Sequence, residues 1–287
     1  MALATSPALS LRALLARPGL LRMPCCFDAL SARLVEAAGF PLTFMSGFAV
    51  SAARLGLPDT GLISYAEMLE QGRDICSRVQ IPVIGDADTG YGNAVNVKRT
   101  LHGYARAGFA CAMIEDQRWP KRCGHTEGKQ VVSREEAFAR IRAAVDAKRE
   151  GADILVLART DARQTHGLDE ALARIRGFEE LGADIVFLEA PQSVEEMRAF
   201  CQVAQGPTLA NMLEDGKTPL LPAPALEELG FKIAAYPLTL LSSAVAAMQG
   251  ALRELSQGIH PQQLLPFTEL QSLVGFPDYD RERARYE

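Results

Sequence analysis

Gly182-Ala183-Asp184-Ile185-Val186-Phe187-Leu188-Glu189 closes one element and opens another. A glycine directly after a helically periodic stretch is a helix C-cap, and the short apolar run behind it reads as a buried parallel strand. The same succession recurs at Gly39-Phe40, Gly108-Phe109, Gly151-Ala152-Asp153 and Gly230-Phe231. It predicts eight strands: Leu21–Cys25, Leu42–Met45, Pro82–Gly85, Ala110–Ile114, Ile154–Ala158, Ile185–Leu188, Thr208–Ala210 and Lys232–Ala235. Between them, Val97, Leu101 and Tyr104 step at helical spacing, as do Ile141 and Val145. Ser133 with Glu136, and Ser193 with Glu196, fit the capping box that starts a helix. Alternating strand and helix implies a parallel sheet, and eight units imply closure into a (β/α)8 TIM-type barrel. A doubly wound open sheet is the rival, but no glycine-rich dinucleotide fingerprint follows any strand.

Outward from this repeat, Leu11 to Leu21 reads as a short helix stopped at Pro18-Gly19. The first 27 residues carry arginine and no acid, as transit peptides do, yet the helix is the simpler reading. Thr239 to Leu255 is a further apolar helix, and Pro261 to Glu287 is mixed and aromatic. The 287 residues therefore suit one barrel domain, 1–287, with a C-terminal helical extension from about 239. Hydrophobic residues are 48% and charged residues 23%, enough for a large core. A net charge of −5 without a basic stripe excludes nucleic acid and anionic membrane as main partners, while leaving room for a small anionic substrate. No apolar run approaches the roughly 18 residues of a membrane span. Six cysteines without CxxC spacing read as reduced thiols of a cytoplasmic protein, with Cys76, Cys111 and Cys201 packing the core.

Polar residues stand at the ends of these strands: Ser46-Gly47, Asp86 and Asp88, Glu115-Asp116, Arg159 and Asp161, Glu189, Asn211 and Tyr236. In a barrel these positions converge on the carboxyl-end face, where active sites of this fold lie. Asp86 and Asp88 flank a turn with Gly90 and Gly92. Hard oxygen donors of this kind suit Mg²⁺ or Mn²⁺. The alternative is an Asx-turn that only caps the next helix. Asp59 and Glu115 add carboxylates and favour the metal, whereas the loop spacing excludes an EF-hand. Lys121-Arg122-Cys123-Gly124-His125 lies in a long connection, as a lid over a site would. Its cations and imidazole are expected to lower the Cys123 pKa and to attract a carboxylate. Half of a zinc site and a solvated basic turn are the competing readings. Arg159 can clamp a carboxylate through two parallel bonds. His102, His166 and His260 stand alone, and Trp119 reads as lid packing.

At these residues the chain resembles the isocitrate lyase/phosphoenolpyruvate mutase superfamily. The matching segments are Met45–Phe48, Gly56–Asp59, Gly85–Gly92, Glu115–Gln117, Lys121–His125, Ala158–Asp161, Leu188–Pro191, Asn211-Met212 and Tyr236–Leu238. Within it, the chain is most similar to the 2-methylisocitrate lyase and 2,3-dimethylmalate lyase (petal death protein-like) branch. The resemblance implies a barrel, commonly a homotetramer with its C-terminal helix exchanged between subunits. It implies that Asp86 contacts Mg²⁺ while Asp59, Asp88 and Glu115 hold metal-bound water. Ser46, Gly47, Phe48 and Arg159 would bind the 2-keto acid portion, with Glu189 and Asn211 at the substrate's other end. Lyases of the superfamily carry a catalytic cysteine where Cys123 stands, and phosphoryl mutases carry asparagine. Phe44 departs from several lyases, which have tyrosine there, and it cannot donate a hydrogen bond. The implied reaction is Mg²⁺-dependent carbon–carbon cleavage of a di- or tricarboxylate, with Cys123 as acid and Lys121, Arg122 and His125 balancing charge. An oxaloacetate decarboxylase or hydrolase, and a catalytically silent carboxylate-binding barrel, are the alternatives.

Overall fold

The computed structural model describes residues 6–126 and 128–287. They form two compact units, one ending at Leu240 and one running from Leu241 to Glu287. The first unit opens with α1 (Pro7–Leu15), β1 (Leu21–Cys26), α2 (Ala29–Ala37) and β2 (Thr43–Met45). A short α3 (Gly47–Val50) runs into a π-helical turn at Ser51–Leu55, followed by α4 (Tyr65–Cys76) and β3 (Val83–Asp86). Then come α5 (Ala94–Ala107), β4 (Cys111–Glu115), α6 (Arg134–Arg149), β5 (Leu155–Thr160), α7 (Ala162–His166) and α8 (Leu168–Leu181). The set ends with β6 (Ile185–Leu188), α9 (Val194–Val203), β7 (Thr208–Asn211), α10 (Ala223–Leu229) and β8 (Ile233–Tyr236). All eight strands are parallel and close in sequence order, β8 pairing with β1 through Leu21 opposite Ile233. The expected eight strands all form. Several run further at the carboxyl end than expected, so Asp86, Glu115, Arg159 and Asn211 lie inside their strands.

Strand side chains alternate between two separate apolar layers, as a period of two requires. Met23, Cys25, Phe44, Ile84, Met113, Leu157, Phe187, Leu209 and Ile233 fill the barrel interior. Cys26, Met45, Ala112, Ile114, Val156, Val186 and Leu188 face outward into the helix layer. Ala8, Leu11 and Leu14 of α1 join the interior cluster, and Arg12 pairs with Asp184 at 3.1 Å, just before β6 begins. The N-terminal helix, expected over Leu11 to Leu21, lies earlier, at Pro7–Leu15; it plugs the amino end of the barrel and leaves the carboxyl end for chemistry. The arginine-rich stretch from residue 6 onward is structural here; residues 1–5 of that reading lie outside the described residues.

Glycines end α5, α8 and α10 in the left-handed conformation, with φ of 99°, 105° and 102°. Both expected capping boxes need correction. Ser133 and Ser193 accept from the Glu136 and Glu196 amides. The reciprocal half is missing, because arginines draw the acids away: Glu136 bonds Arg140 and Glu196 bonds Arg163. Complete boxes occur instead at Asp28/Ser31, Ser64/Glu67 and Asn93/Asn96.

The extension expected from about 239 begins in α11 (Thr239–Ser256) and continues through α12 (Phe267–Val274) and α13 (Phe276–Arg283). None of the three helices has a buried residue. No helix among the described residues is long and apolar enough to cross a membrane.

Candidate active site

One further inward step of the strand alternation brings polar groups to the mouth of the barrel. Phe44 is followed by Ser46, Ile84 by Asp86, Met113 by Glu115, Leu157 by Arg159, Phe187 by Glu189 and Leu209 by Asn211. The apolar plug below them excludes water, so these polar groups sit on a dry floor. Glu115 is directly opposite Arg159 in the β4–β5 register. Phe44 is 8% exposed within that interior layer, below Ser46.

Asp59, Asp86, Asp88 and Glu115 are all buried. The Gly47 amide donates to Asp86 Oδ2 at 3.1 Å and the Asp88 amide to Asp86 Oδ1 at 3.1 Å. A Cβ at Gly47 would stand 2.6 Å from Asp86 Oδ2, so only glycine fits there. Asp88 holds φ at 47°, a left-handed strain typical of functional turns. Burial, then the neighbouring Asp88 charge, pushes the Asp86 carboxyl up to about 6. Burial likewise raises Asp59 and Glu115 despite the cations near them. Lys121 stands between two of the acids, its ammonium 2.5 Å from Asp59 and 2.8 Å from Asp88. With that lysine in place, no three described His, Cys, Asp or Glu side chains close around one point as a metal-holding set. The donors nevertheless fit a hard cation. Asp88 Oδ2 and Glu115 Oε1 are buried without a hydrogen-bond partner, as oxygens that a cation would take are.

Beside this cluster lies a second one. Arg159 reaches Asp161 at 2.8 Å, Glu189 at 3.1 Å and Glu115 at 3.5 Å, and its guanidinium lies over the Phe187 ring. Burial opposes its charge, but Asp161 and Glu189 outweigh burial and keep it protonated. Burial would raise Glu189 too, yet Arg159 and His125 hold it far below the usual carboxylate range. His125 Nε2 is 3.0 Å from Glu189 Oε1, while its Nδ1 accepts from the Lys217 amide at 3.0 Å. A neutral His125 therefore carries its proton on Nε2, aimed at Glu189. Asn211 donates to the same carboxylate at 3.3 Å.

The connection from Asp116 to Val132 folds over this floor. Its base is a two-stranded arm, with Gln117 bridged to Val131 and the Arg118 amide donating to the Gln130 carbonyl at 2.8 Å. The Gln117 side chain clamps the Arg122 backbone from both sides, at 2.8 and 2.9 Å. Trp119 packs on Gly61 and meets Tyr91 edge-on, as expected for packing. The five gate residues divide. Lys121, Cys123, Gly124 and His125 point at the site, while Arg122 is an exposed part of its rim. Lys121 serves the Asp59–Asp88 side rather than open space. Expectation fails at the thiol: burial raises the Cys123 pKa, and the nearby Glu189 and Asp59 charges add to this. Lys121, which would lower it, is already paired with Asp59 and Asp88, and His125 with Glu189. Ser46, Phe48, Leu213, Pro237 and Leu238 complete the lining, and about 60 Å³ of space remains. The connection lies closed over this space, with room at the floor for a few waters or a very small ligand.

Sequence reasoning did not single out Lys129, and it gave Pro237 and Leu238 only as part of a matching segment, without a role in the pocket wall. Lys129 bonds Asp161 across 32 residues, and no local pattern signals such a pairing.

Comparison with known proteins finds relatives over nearly the whole chain. The family model for phosphoenolpyruvate phosphomutase matches residues 11–256. The 2,3-dimethylmalate lyase of Eubacterium barkeri is 45% identical over 241 residues, 84% of this chain and 83% of that one. A chloroplastic carboxyvinyl-carboxyphosphonate phosphorylmutase of Arabidopsis thaliana is 42% identical, over 95% of this chain and 83% of that one. The 2-methylisocitrate lyase of Aeropyrum pernix is 40% identical, over 97% and 90%. Among solved structures, oxaloacetate acetylhydrolase in complex with 3,3-difluorooxalacetate superposes with a TM-score of 0.94 at 37% identity, covering 98% of this chain and 97% of that chain.

Proposed function

The chain belongs to the phosphoenolpyruvate phosphomutase family of the isocitrate lyase/phosphoenolpyruvate mutase superfamily, and from that premise we propose that it is a Mg²⁺-dependent carbon–carbon lyase. Its substrate is a 2-hydroxy di- or tricarboxylate of the 2-methylisocitrate or 2-alkylmalate type, cleaved to pyruvate or a related 2-keto acid and a second carboxylic acid. The observation that carries this reading is the place of Cys123, on the loop above Arg159 and Glu189, where burial raises its thiol pKa. Asp86 would hold the cation (Mn²⁺ serves as well), with Asp88, Asp59 and Glu115 around it. Bound there, the ion supplies Lewis-acid stabilisation of negative charge on the substrate's 2-oxygen.

Arg159, with Ser46 and Gly47, takes the 2-carboxylate and 2-oxygen end and stabilises its negative charge as the carbonyl forms. The hydroxyl proton passes to Glu115, 3.5 Å from Arg159, the C2–C3 bond breaks, and its electron pair goes to C3 as an enolate of the departing acid. Cys123 Sγ then delivers its proton to that carbon. A thiol kept protonated by burial is suited to this step, and a thiolate would not be. Glu189, His125 and Asn211 orient the far end of the substrate. Lys121, with Arg122 at the rim, completes the closed loop that keeps water from the carbanion.

The superposition on oxaloacetate acetylhydrolase favours a second reading, a decarboxylase or hydrolase acting on oxaloacetate. Phe48, Leu213, Pro237 and Leu238 instead give the pocket an apolar wall, which suits an alkyl substituent that oxaloacetate lacks. Cys123 weighs against phosphoryl transfer, since the mutases resembled carry asparagine there. A silent carboxylate-binding barrel would give tight Mg²⁺-dependent isotherms and no product.

The unburied apolar side chains of α11 to α13, among them Met248, Leu252 and Phe267, support a homotetramer in which the extension is exchanged between subunits. With that extension, residues 1–287 act as one functional domain. All six cysteines are free, in keeping with a reducing cytoplasm. The deciding assay is release of pyruvate or its relative from 2-methylisocitrate, isocitrate, 2,3-dimethylmalate, other 2-alkylmalates and oxaloacetate, with Mg²⁺ or with EDTA. Cleavage of an alkylmalate or methylisocitrate, abolished by EDTA and lowered by about 10² or more in Cys123→Ser, is the expected result. Turnover of oxaloacetate alone would move the protein to the second reading, and unchanged turnover in Cys123→Ser would remove the thiol's role.

A further inference from the structure

The returning arm of the loop carries a lysine that this chemistry does not use. The Lys129 side chain is fully buried, as is its partner Asp161, 2.7 Å away. The same ammonium also donates to the Gly124 carbonyl. Asp161 in turn accepts from Arg159 Nε at 2.8 Å and from its NH2 group at 3.0 Å. The Asp161 amide donates to Asp116 Oδ1 at 2.9 Å, and Asp116 is held by Thr160 and Arg174. Asp161 is therefore anchored to the barrel, whereas Lys129 and Gly124 travel with the loop.

Gly124 lies directly on the Arg159–Glu189 pair: a Cβ there would stand 2.5 Å from the guanidinium and from the Glu189 carboxylate carbon. One ammonium thus ties the turn that covers Arg159 to the carboxylate that aims Arg159. Asp161 Oδ1 serves both cations, so its hold on Arg159 differs according to whether Lys129 is present. A buried ammonium must keep its partners, and a half-open loop would leave Lys129 dry without them.

We propose that Lys129 is a positioning residue, a latch that fastens the shut loop to Asp161 and fixes the Arg159 guanidinium for substrate only when the loop is closed. The proposal rests on the reading of Arg159 as the carboxylate clamp. It gives the loop two defined states, because the latch is either made in the dry site or released to water.

Hydrogen exchange of residues 117–126 tests it, with and without oxalate in the presence of Mg²⁺, in the wild type, Lys129→Met and Lys129→Arg. Oxalate is expected to slow loop exchange in the wild type at least about tenfold. Lys129→Met should bind oxalate about tenfold more weakly and leave the loop unslowed, while Lys129→Arg restores part of the protection. Exchange in α5 and α8 reads folding in the same samples, and Lys129→Gln replaces the methionine variant if α8 loses protection. Loop protection in the methionine or glutamine variant equal to the wild type overturns the latch and leaves the clamp standing. Absence of oxalate binding or loop protection in the wild type removes the clamp reading, and the latch with it.

Discussion

At Gly124 a single methyl group decides whether the loop can shut, since the Arg159 guanidinium and Glu189 carboxylate fill the space a Cβ would need. Gly124→Ala should lower kcat/KM by about 10² or more, a loss of positioning rather than of folding. Steady-state kinetics with thermal unfolding as control checks this, and a near-normal rate would mean the loop shuts elsewhere. Asp86 makes a pH prediction. Its pKa of about 6 lies above that of the unfolded chain, so native protein holds a proton that unfolded protein has given up between about pH 4 and 6. For this group, stability therefore grows as pH falls through that window. A bound cation competes with the same proton, so Mg²⁺ affinity should fall roughly tenfold per pH unit below about 6. Calorimetric titration at several pH values measures it, and a flat profile would show that Asp86 is not the ligand. Most of these residues were legible in the sequence because each one ends an apolar strand. The state of Cys123 was not. Counting charges beside it ignored that Lys121 and His125 already serve acids, and it carried no information about burial.

Helix starts illustrate how local signals succeed and fail. Asn93 accepts from the Val95 and Asn96 amides, and the Asn96 side chain answers. Asn93→Ala should cost about 1 kcal/mol by urea denaturation, and Ser133→Ala about half that, because only half of its box exists. Equal losses would mean the reciprocal bond adds nothing. The motif at Ser133-Glu136 was readable, but the competitor Arg140 was not, since it is held by the Glu115 and Gln117 carbonyls far back in the chain. The loop over the site shows the same limit. Its length was apparent, yet its shape comes from Gln117 on the Arg122 backbone and Lys129 on Asp161, contacts without a period to detect. The strands were easier. A glycine cap followed by an apolar run is a local event; it marked five of the eight strands, and the runs at Leu21, Pro82 and Thr208 supplied the other three.

Closure of the sheet follows from that count, and so does the division of labour between a plugged amino end and a reactive carboxyl end. The C-terminal unit offers its own test. Leu252, 63% exposed on α11, should become an obstacle to assembly when charged. Light scattering on Leu252→Glu is expected to show a smaller species than the wild type, with the barrel's thermal transition retained; an unchanged mass would count against exchange. Of the extension's helices α11 was legible as an apolar run, whereas the stretch that forms α12 and α13 read only as mixed and aromatic, and which surface covers them is not written in one chain. Trp119 has a further consequence for the molecule as a whole. It is the only tryptophan in the chain, and it sits in the loop against Gly61 and Tyr91. Excitation at the red edge of protein absorbance therefore makes the entire molecule emit from one indole, and that indole rides on the moving part. Stopped-flow traces could give the closing and opening rates without any label, and set beside kcat they would tell whether chemistry or product escape limits turnover.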